Sequence, residues 1–171
     1  MTEFQLPKLD FAPDALAPAM SAETIEEELR AIAEASSPST AGERLYISCG
    51  MKGVRGELAA GLPGVKNTSL PLFRQAMEKG MSRNQAGVYA LLGLIALGND
   101  SNMAARSSPD EARSAAAEVR AMLPWPEMER VEALDDSFIA RNLSPGGCAD
   151  LLAVTYFLYD LEKKYTIQEG I

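Results

Sequence analysis

The chain has 171 residues, of which 47% are hydrophobic and 23% are charged, and its formal net charge is −8. This composition is typical of a globular domain with a real core and excludes overall disorder, while the acidic balance argues against general binding to nucleic acid or to an anionic membrane. The chain has no histidine, which excludes His-ligated metals and catalysis by Ser-His-Asp or Cys-His groups. Any polyanionic ligand must therefore be bound by a local cluster of Lys and Arg.

The two cysteines, Cys49 and Cys148, are far apart and show no metal-site spacing, so reduced thiols are expected. The N-terminal residues include prolines and aspartates where a signal peptide would be apolar, and no apolar run reaches the length of a membrane span. The sequence therefore predicts a cytoplasmic protein that binds neither a membrane nor nucleic acid.

The first 42 residues differ in character from the rest of the chain. Residues 1–20 contain several prolines and predict an extended arm, Ser21 is expected to cap a helix with an acidic start, and the run SSPSTAG at 36–42 ends it. Residues 4–26, FQLPKLDFAPDALAPAMSAETIE, resemble the N-terminal arm of iron/manganese superoxide dismutases. Those enzymes hold their metal with histidines, and this chain has none, so their activity is excluded.

Residues 43–70 are rich in glycine, and Lys52, Arg55 and Glu57 are interleaved with the glycines in the run GMKGVRGELAAGLPG. One interpretation is a solvated turn followed by a short helix. The other is a flexible backbone that holds cations for a phosphate-containing ligand. Composition and spacing leave both interpretations open.

The next two helices are predicted from their end signals. Ser69 and Pro71 begin a helix that Gly80 closes, and a capping box from Ser82 to Gln85 begins another that runs to about residue 98. Apolar residues occupy nearly every side of the second helix, which indicates a core helix.

A polar run, NDSNMAARSS, follows at residues 99–108. Asn, Asp and Ser commonly satisfy backbone groups at helix ends, and spacing alone favours that interpretation. The alternative places the Asp100 carboxylate and the Asn102 amide on a hard cation, Mg²⁺ carried by a nucleotide, with Arg106 facing a phosphate.

Two further helices are predicted before the last one. Ser108 and Glu111 predict a capping box, with Pro109 at the first helical position, that begins a helix running to about Leu123. A short helix is expected near residues 136–141, and it leads into the C-terminal stretch.

The stretch from Arg141 to Leu161 combines a polar helix start with an apolar helix. In the run SPGG, residues 144–147, serine and proline predict the start, and the glycines let a ligand approach backbone N–H groups that attract anions. Residues 151–158 are apolar on nearly every side and predict a helix buried all round. The tail from Lys163 is expected to fray.

The sequence shows no strand pattern and no repeat of fixed period, so it predicts an all-α fold. We expect a compact multi-helix domain with two buried central helices, formed by residues 43–171. Residues 1–42 are expected to form a separate N-terminal arm and helix.

Three of these runs occur together in one known family. Residues 50–161 resemble the triphosphoribosyl-dephospho-CoA synthase family in three runs that occur in the same order. They are K-G-x-R-G-E with a G-L-P turn, D-S-N followed four residues later by Arg, and N-L-S-P-G-G-x-A-D-L-L-A. The resemblance implies a helical enzyme that transfers a triphosphoribosyl unit from ATP to dephospho-CoA and releases adenine. The product is the prosthetic-group precursor for the carrier protein of citrate lyase or malonate decarboxylase. The chain departs from the family pattern at Leu62, where phenylalanine is more typical, and at Ser107 and Ser108, where glycines are.

The resemblance also implies a site. Glu57 and Asp150 are the candidate catalytic carboxylates, in roles that the sequence does not apportion, and Asp100 and Asn102 would hold Mg²⁺ with the nucleotide. The candidate substrate- and phosphate-binding residues are Lys52, Arg55, Arg106, Arg141, Asn142, Ser144, Gly146 and Gly147.

Members of this family are longer, and they carry further N-terminal motifs that this sequence lacks. A homo-oligomer or a partner chain that completes the site is therefore one expectation. Two alternatives to the enzyme are a non-catalytic or truncated helical module that binds nucleotide or CoA, and a fused or designed chain without activity.

Overall fold

The computed structural model describes residues 22–34 and 38–168, and every regular element in these residues is helical. The all-α prediction is confirmed. A π-helical turn at Val65–Ser69 leads directly into the fourth of nine α-helices in the described residues. The helices are α1 (Ala22–Glu34), α2 (Ala41–Cys49), α3 (Gly53–Ala59), α4 (Leu70–Glu78), α5 (Arg83–Ala96), α6 (Ser101–Arg106), α7 (Pro109–Met122), α8 (Met128–Ala140) and α9 (Gly146–Gln168).

Side-chain caps begin four of the described helices, α2, α5, α6 and α7. The predicted capping box is present at α5, where the Ser82 hydroxyl accepts from the Gln85 N–H and the Gln85 side chain accepts from the Ser82 N–H. Ser108 caps α7, but the second half of the capping box predicted there is absent, because the Glu111 carboxylate accepts from Arg141 instead. A second capping box begins α2, formed by Thr40 and Glu43 in a run that the sequence predicted only as a helix break.

Two helix predictions are wrong. The short helix expected near residues 136–141 is α8, which begins eight residues earlier than expected, at Met128. The prolines at 124 and 126 both precede that position, so neither interrupts the helix. The tail expected to fray from Lys163 continues as α9 to Gln168. The described part of α1 includes residues 22–26 of the segment that resembles superoxide dismutase, and the rest of that segment lies outside the described residues.

Helix α5 is the centre of the core, as the sequence predicts. It packs against α4, α7 and α9, and residues on nearly every side of it are buried, including Leu94 with 1% of its surface exposed. A Cβ at position 87 would lie 1.9 Å from the Tyr156 hydroxyl. A larger residue there would therefore displace the Tyr156 ring from its place against α5.

Helix α9 differs from the prediction of burial all round. One stripe is buried, with Cys148, Leu151, Thr155 and Tyr159 at helical spacing. Phe157 is 63% exposed on the other side. The apolar run thus does not by itself imply burial, because the helices described here pack against only part of α9.

A second layer consists of the shorter helices. Helix α1 packs against α2 and α3, α2 packs against α6, and α3 and α6 both pack against the start of α9. The division of the chain at residue 42 stays a prediction. In the described part of the chain, no helix combines the length and the apolar character that a membrane crossing requires.

Candidate functional site

A cavity of about 540 Å³ lies where this second layer meets the start of α9. Its volume is within the range of small-molecule sites, roughly 300–1,000 Å³. Five helices and the turns between them contribute to its wall. The lining residues are Ile32, Thr40, Gly42, Glu43, Tyr46, Met51, Lys52, Val54, Arg55, Ser101, Asn102, Gly146, Gly147 and Asp150.

Six of the candidate site residues lie in this wall, and they come from all three motifs: Lys52, Arg55, Asn102, Gly146, Gly147 and Asp150. Positions that are almost one hundred residues apart in sequence thus meet around one space. Glu57, Asp100, Arg106, Arg141, Asn142 and Ser144 are not part of the wall of this cavity.

Asp100 lies directly behind the wall and joins two helices. Its Oδ1 accepts hydrogen bonds from the backbone N–H groups of Asn102 and Met103, both at 2.9 Å, which caps α6. Its Oδ2 accepts from the backbone N–H of Cys148 at 2.8 Å, in the first turn of α9. The residue is 5% exposed. One buried carboxylate therefore stabilises two helix N-termini, where negative charge is favoured.

Glycines allow the helix starts to approach closely. A Cβ at Gly146 would lie 1.9 Å from Nδ2 of Asn102, and a Cβ at Gly53 would lie 2.4 Å from the Ser101 hydroxyl. Gly53 also has a φ of 56°, which disfavours other residues. The starts of α3, α6 and α9 can form one wall only because these positions carry no side chain.

Glu57 is half-buried and faces away from the main cavity. Its Oε2 accepts from the backbone N–H of Gly64 at 2.8 Å. It lines a space of only about 20 Å³ with Asp100, Gly147 and Cys148, on the inner side of the wall. The contact orders the GLP turn after α3, and the predicted catalytic role of Glu57 stays a prediction.

The arginine at the end of α8 is engaged by carboxylates. Arg141 donates to Glu111 at 2.6 Å and to Glu118 at 2.8 Å, both on α7. These hydrogen bonds, the one to Glu118 above all, raise the pKa of the guanidinium. In this arrangement Arg141 ties α8 to α7, and its predicted phosphate contact stays a prediction.

The remaining candidates surround the loop before α9. Arg106 donates to the Asn142 side chain at 3.2 Å, and the Asn142 amide donates to the Arg106 carbonyl at 3.3 Å. Asn142 has a φ of 53° and follows the last turn of α8. The Ser144 carbonyl accepts from the Gly146 N–H at 2.9 Å. These contacts fix the loop that positions the start of α9.

The cavity wall carries both cations and carboxylates. Lys52, Arg55 and Asp150 are exposed and have no side-chain hydrogen bond or ion pair with any described residue, so they are available to a ligand. Glu43, on α2, accepts from the backbone N–H groups of Ser39 and Thr40, and these hydrogen bonds, with that from the Ser39 hydroxyl, hold its pKa below the ordinary value.

The described residues contain no group of three or more Cys, Asp or Glu side chains that could hold a metal ion by themselves. The buried carboxylate of Asp100 already accepts three backbone N–H hydrogen bonds, and its predicted role as a metal ligand stays a prediction. Asn102 and Asp150 do line the cavity, and such oxygen ligands suit Mg²⁺ that arrives with a nucleotide.

Sequence reasoning missed one wall of the cavity. Thr40, Glu43 and Tyr46 lie on it, although residues 36–42 were predicted only to break a helix. The capping box T-A-G-E at 40–43 was the available signal, because it predicts a helix start. Residues three apart on that helix then share a face, which places Tyr46 with Glu43.

A helical domain in which glycine-rich helix starts and unpaired cations surround a cavity is suited to phosphate-containing small molecules. Comparison with known proteins gives the family. Residues 11–169 match the family described as ATP:dephospho-CoA triphosphoribosyl transferase. The chain belongs to this family.

Individual relatives agree with this assignment. A probable 2-(5''-triphosphoribosyl)-3'-dephosphocoenzyme-A synthase of Vibrio cholerae is 38% identical over 137 residues, which are 77% of this chain and 44% of the relative. The synthase of Pectobacterium atrosepticum is 40% identical over 72% of this chain and 42% of its own length. That of Escherichia fergusonii is 34% identical over 88% and 51%. The chain thus spans about half the length of the curated relatives it matches, and no solved structure matches it.

Proposed function

We propose that this chain acts in the transfer of a triphosphoribosyl unit from ATP to dephospho-CoA, with release of adenine. Its family and the names of its relatives support this activity. The observation that carries the proposal is the cavity whose wall combines Lys52 and Arg55, which have no ion pair with any described residue, with Gly146 and Gly147 at the start of α9. A polyphosphate is the ligand chemistry that unpaired cations and a glycine-lined helix start bind together.

In this proposal the phosphates of ATP bind between α3 and the start of α9. The Lys52 ammonium and the Arg55 guanidinium neutralise phosphate charge, and the positive end of the α9 helix dipole adds to their attraction. The local cations are needed because the whole chain has a net charge of −8, which otherwise repels polyanions.

The chemistry is substitution at C1′ of the ATP ribose. A hydroxyl of dephospho-CoA forms a new bond to C1′, the C1′–N bond to adenine breaks, and adenine leaves with the electron pair and takes up a proton. Positive charge develops at the sugar carbon, as in glycoside cleavage, and a nearby carboxylate stabilises it. Asp150 lines the cavity and has no ion pair with any described residue. It would stabilise this charge or accept the hydroxyl proton. Glu57 supports the turn at Gly64.

The proposal includes Mg²⁺ bound to the triphosphate, whose charge it would neutralise. Mg²⁺ commonly uses one or two protein carboxylates together with substrate phosphates. The Asn102 amide oxygen is the cavity group that would hold it, with the substrate phosphates as further ligands, because Asp150 is assigned to the reaction at C1′. Asp100 holds the helix starts. A second copy of the chain or a partner chain would complete the site, so activity should be measured over a range of protein concentrations.

The test is adenine release, followed by chromatography, from Mg²⁺, ATP and dephospho-CoA with each substrate omitted in turn. We expect adenine only when both substrates are present. Lys52→Ala and Asp150→Asn should lower the rate at least tenfold, whereas Arg130→Ala should not, because Arg130 is an exposed arginine on α8 outside this cavity.

Each other result has a definite meaning. ATP binding without turnover by folded protein would identify the non-catalytic nucleotide-binding module instead. Unchanged turnover in both Asp150→Asn and Glu57→Gln would contradict the assignment of the carboxylates. No binding of either substrate by folded protein would refute the proposal.

A further inference from the structure

One part of the cavity wall is apolar and lies outside the motifs that define the family resemblance. Tyr46 comes from α2, Met51 from the turn between α2 and α3, and Ile32 from α1. Met51 is buried and Tyr46 is half-buried. Their side chains therefore leave an aromatic and aliphatic surface that faces the same space as Lys52 and Arg55.

The charges of the wall give the cavity a direction. Glu43 lies one turn before Tyr46 on α2 and stays ionised at neutral pH, because it is hydrogen-bonded by backbone N–H groups. Lys52 and Arg55 belong to the start of α3, next to the start of α9. Asp150 of α9 also lines this side, but two cations against one carboxylate leave it net positive, whereas α2 contributes Glu43 and no cation to the wall. A polyphosphate is therefore repelled from the α2 side and attracted to the α3 side. The uncharged end of a nucleotide is then directed towards Tyr46 and Met51.

We infer that Tyr46 and Met51 form the adenine-binding part of this cavity, an assignment that rests on the proposed function and names the part of the substrate bound at this wall. A purine ring is planar and stacks on an aromatic side chain, and a methionine thioether makes favourable contacts beside aromatic rings. ATP and dephospho-CoA both contain adenine joined to a chain of phosphates, so the chemistry recognised is an adenosine 5′-polyphosphate.

A tyrosine ring at this wall lets the cavity distinguish a nucleotide from a polyphosphate that has no base. Lys52 and Arg55 bind any polyphosphate, since their attraction depends only on charge. The ring of Tyr46 adds binding only when a base is attached. Removing the ring should therefore separate the affinity for a nucleotide from the affinity for its phosphates.

The experiment is isothermal titration calorimetry with three probes: ATP, inorganic tripolyphosphate and dephospho-CoA, each with Mg²⁺. The variants are Tyr46→Ala, Tyr46→Leu, which keeps an apolar side chain but no ring, and Tyr46→Phe. The matched control is Ile47→Ala, because Ile47 is the next residue on α2, is 45% exposed and does not line the cavity. Circular dichroism and thermal unfolding establish that each variant is folded.

We expect Tyr46→Ala and Tyr46→Leu to weaken binding of ATP about tenfold, as loss of base stacking does, with tripolyphosphate binding changed by less than about twofold. Tyr46→Phe and Ile47→Ala should bind ATP like the unchanged chain. Lys52→Ala should weaken ATP and tripolyphosphate alike. A tenfold loss for dephospho-CoA but not for ATP would assign the adenine of the acceptor to this wall.

The inference is overturned if the chain binds ATP and Tyr46→Ala leaves the affinity for both nucleotides unchanged. It is also overturned if the variant weakens ATP and tripolyphosphate by the same factor, since Tyr46 would then act through the phosphates or the fold. If the unchanged chain binds neither ATP nor tripolyphosphate nor dephospho-CoA, the proposed function fails and this assignment fails with it. The failures of the two proposals are thus distinguishable.

Discussion

Replacing Asp100 by asparagine tests whether one buried carboxylate holds two helix starts. The aspartate accepts three backbone hydrogen bonds at 2.8–2.9 Å, two from α6 and one from α9. An asparagine has one oxygen and one NH₂ group in the same volume. If its oxygen keeps the bonds from Asn102 and Met103, its NH₂ group faces the N–H of Cys148, and two donors then meet.

The size of the effect follows from these contacts. A buried N–H without an acceptor costs about 1–3 kcal/mol, and loss of negative charge beside two helix N-termini adds about 0.3–1 kcal/mol for each. We expect Asp100→Asn to lower the free energy of unfolding by about 2–4 kcal/mol. The corresponding decrease in Tm is about 5–10 °C for a chain of this length.

The assay is urea unfolding followed by circular dichroism, in the presence of EDTA so that no divalent cation contributes. The matched control is Asp110→Asn, in the first turn of α7, where the side chain is 92% exposed. Asp110 pairs with Arg113 and its charge also lies near a helix N-terminus, so that change should lower stability by about 0.3–1 kcal/mol. If Asp100→Asn matched the control in EDTA but abolished stabilisation by Mg²⁺, Asp100 would be a metal ligand and the double-cap assignment would be refuted.

The other predictions concern a buried pair, a titrating cap and the two thiols. The hydroxyls of Ser69 and Thr155 are 2.6 Å apart and fully buried, so Ser69→Ala should lower the free energy of unfolding by about 1 kcal/mol. A double-mutant cycle with Thr155→Val that gives zero coupling energy would contradict this. Backbone hydrogen bonds lower the pKa of Glu43 from the ordinary 4.5, so the folded state binds the proton more weakly than the unfolded state does. The stability that these contacts contribute is therefore present above about pH 4.5 and is lost as the pH falls further. Glu43→Gln should reduce that acid sensitivity in unfolding titrations, and an unchanged pH dependence would refute the reasoning. Cys49 is exposed, while Cys148 is buried and burial raises the pKa of its thiol; a thiol reagent at mild alkaline pH should therefore label Cys49 rapidly and Cys148 only on unfolding, and equal rates would contradict the burial of Cys148.

Much of the fold could be predicted because its causes are local. The capping box at Ser82 and Gln85 and the cap at Ser108 involve contacts between residues three apart, which the order of residues alone sets. The apolar positions of α5 likewise indicate a core helix without knowledge of its neighbours. The three motifs carried the family resemblance, which the comparison over residues 11–169 confirms.

The candidate site was only partly predictable, because it depends on which helices face one another. Lys52 and Arg141 are both cations near glycine in sequence, yet Lys52 faces a cavity unpaired and Arg141 contacts Glu111 and Glu118 of another helix. Tyr46 lay outside every motif and still lines the cavity.

Asp100 shows most clearly which features follow from the sequence and which depend on the tertiary structure. The sequence by itself determined that a short polar run follows α5 and that its aspartate suits a helix N-terminus. Only the tertiary structure decided that the same carboxylate also reaches Cys148, 48 residues away. Capping within one helix depends only on residues close together in the chain. A shared cap requires two helix starts that tertiary packing brings together, and the absence of side chains at Gly146 and Gly53 makes space for that packing.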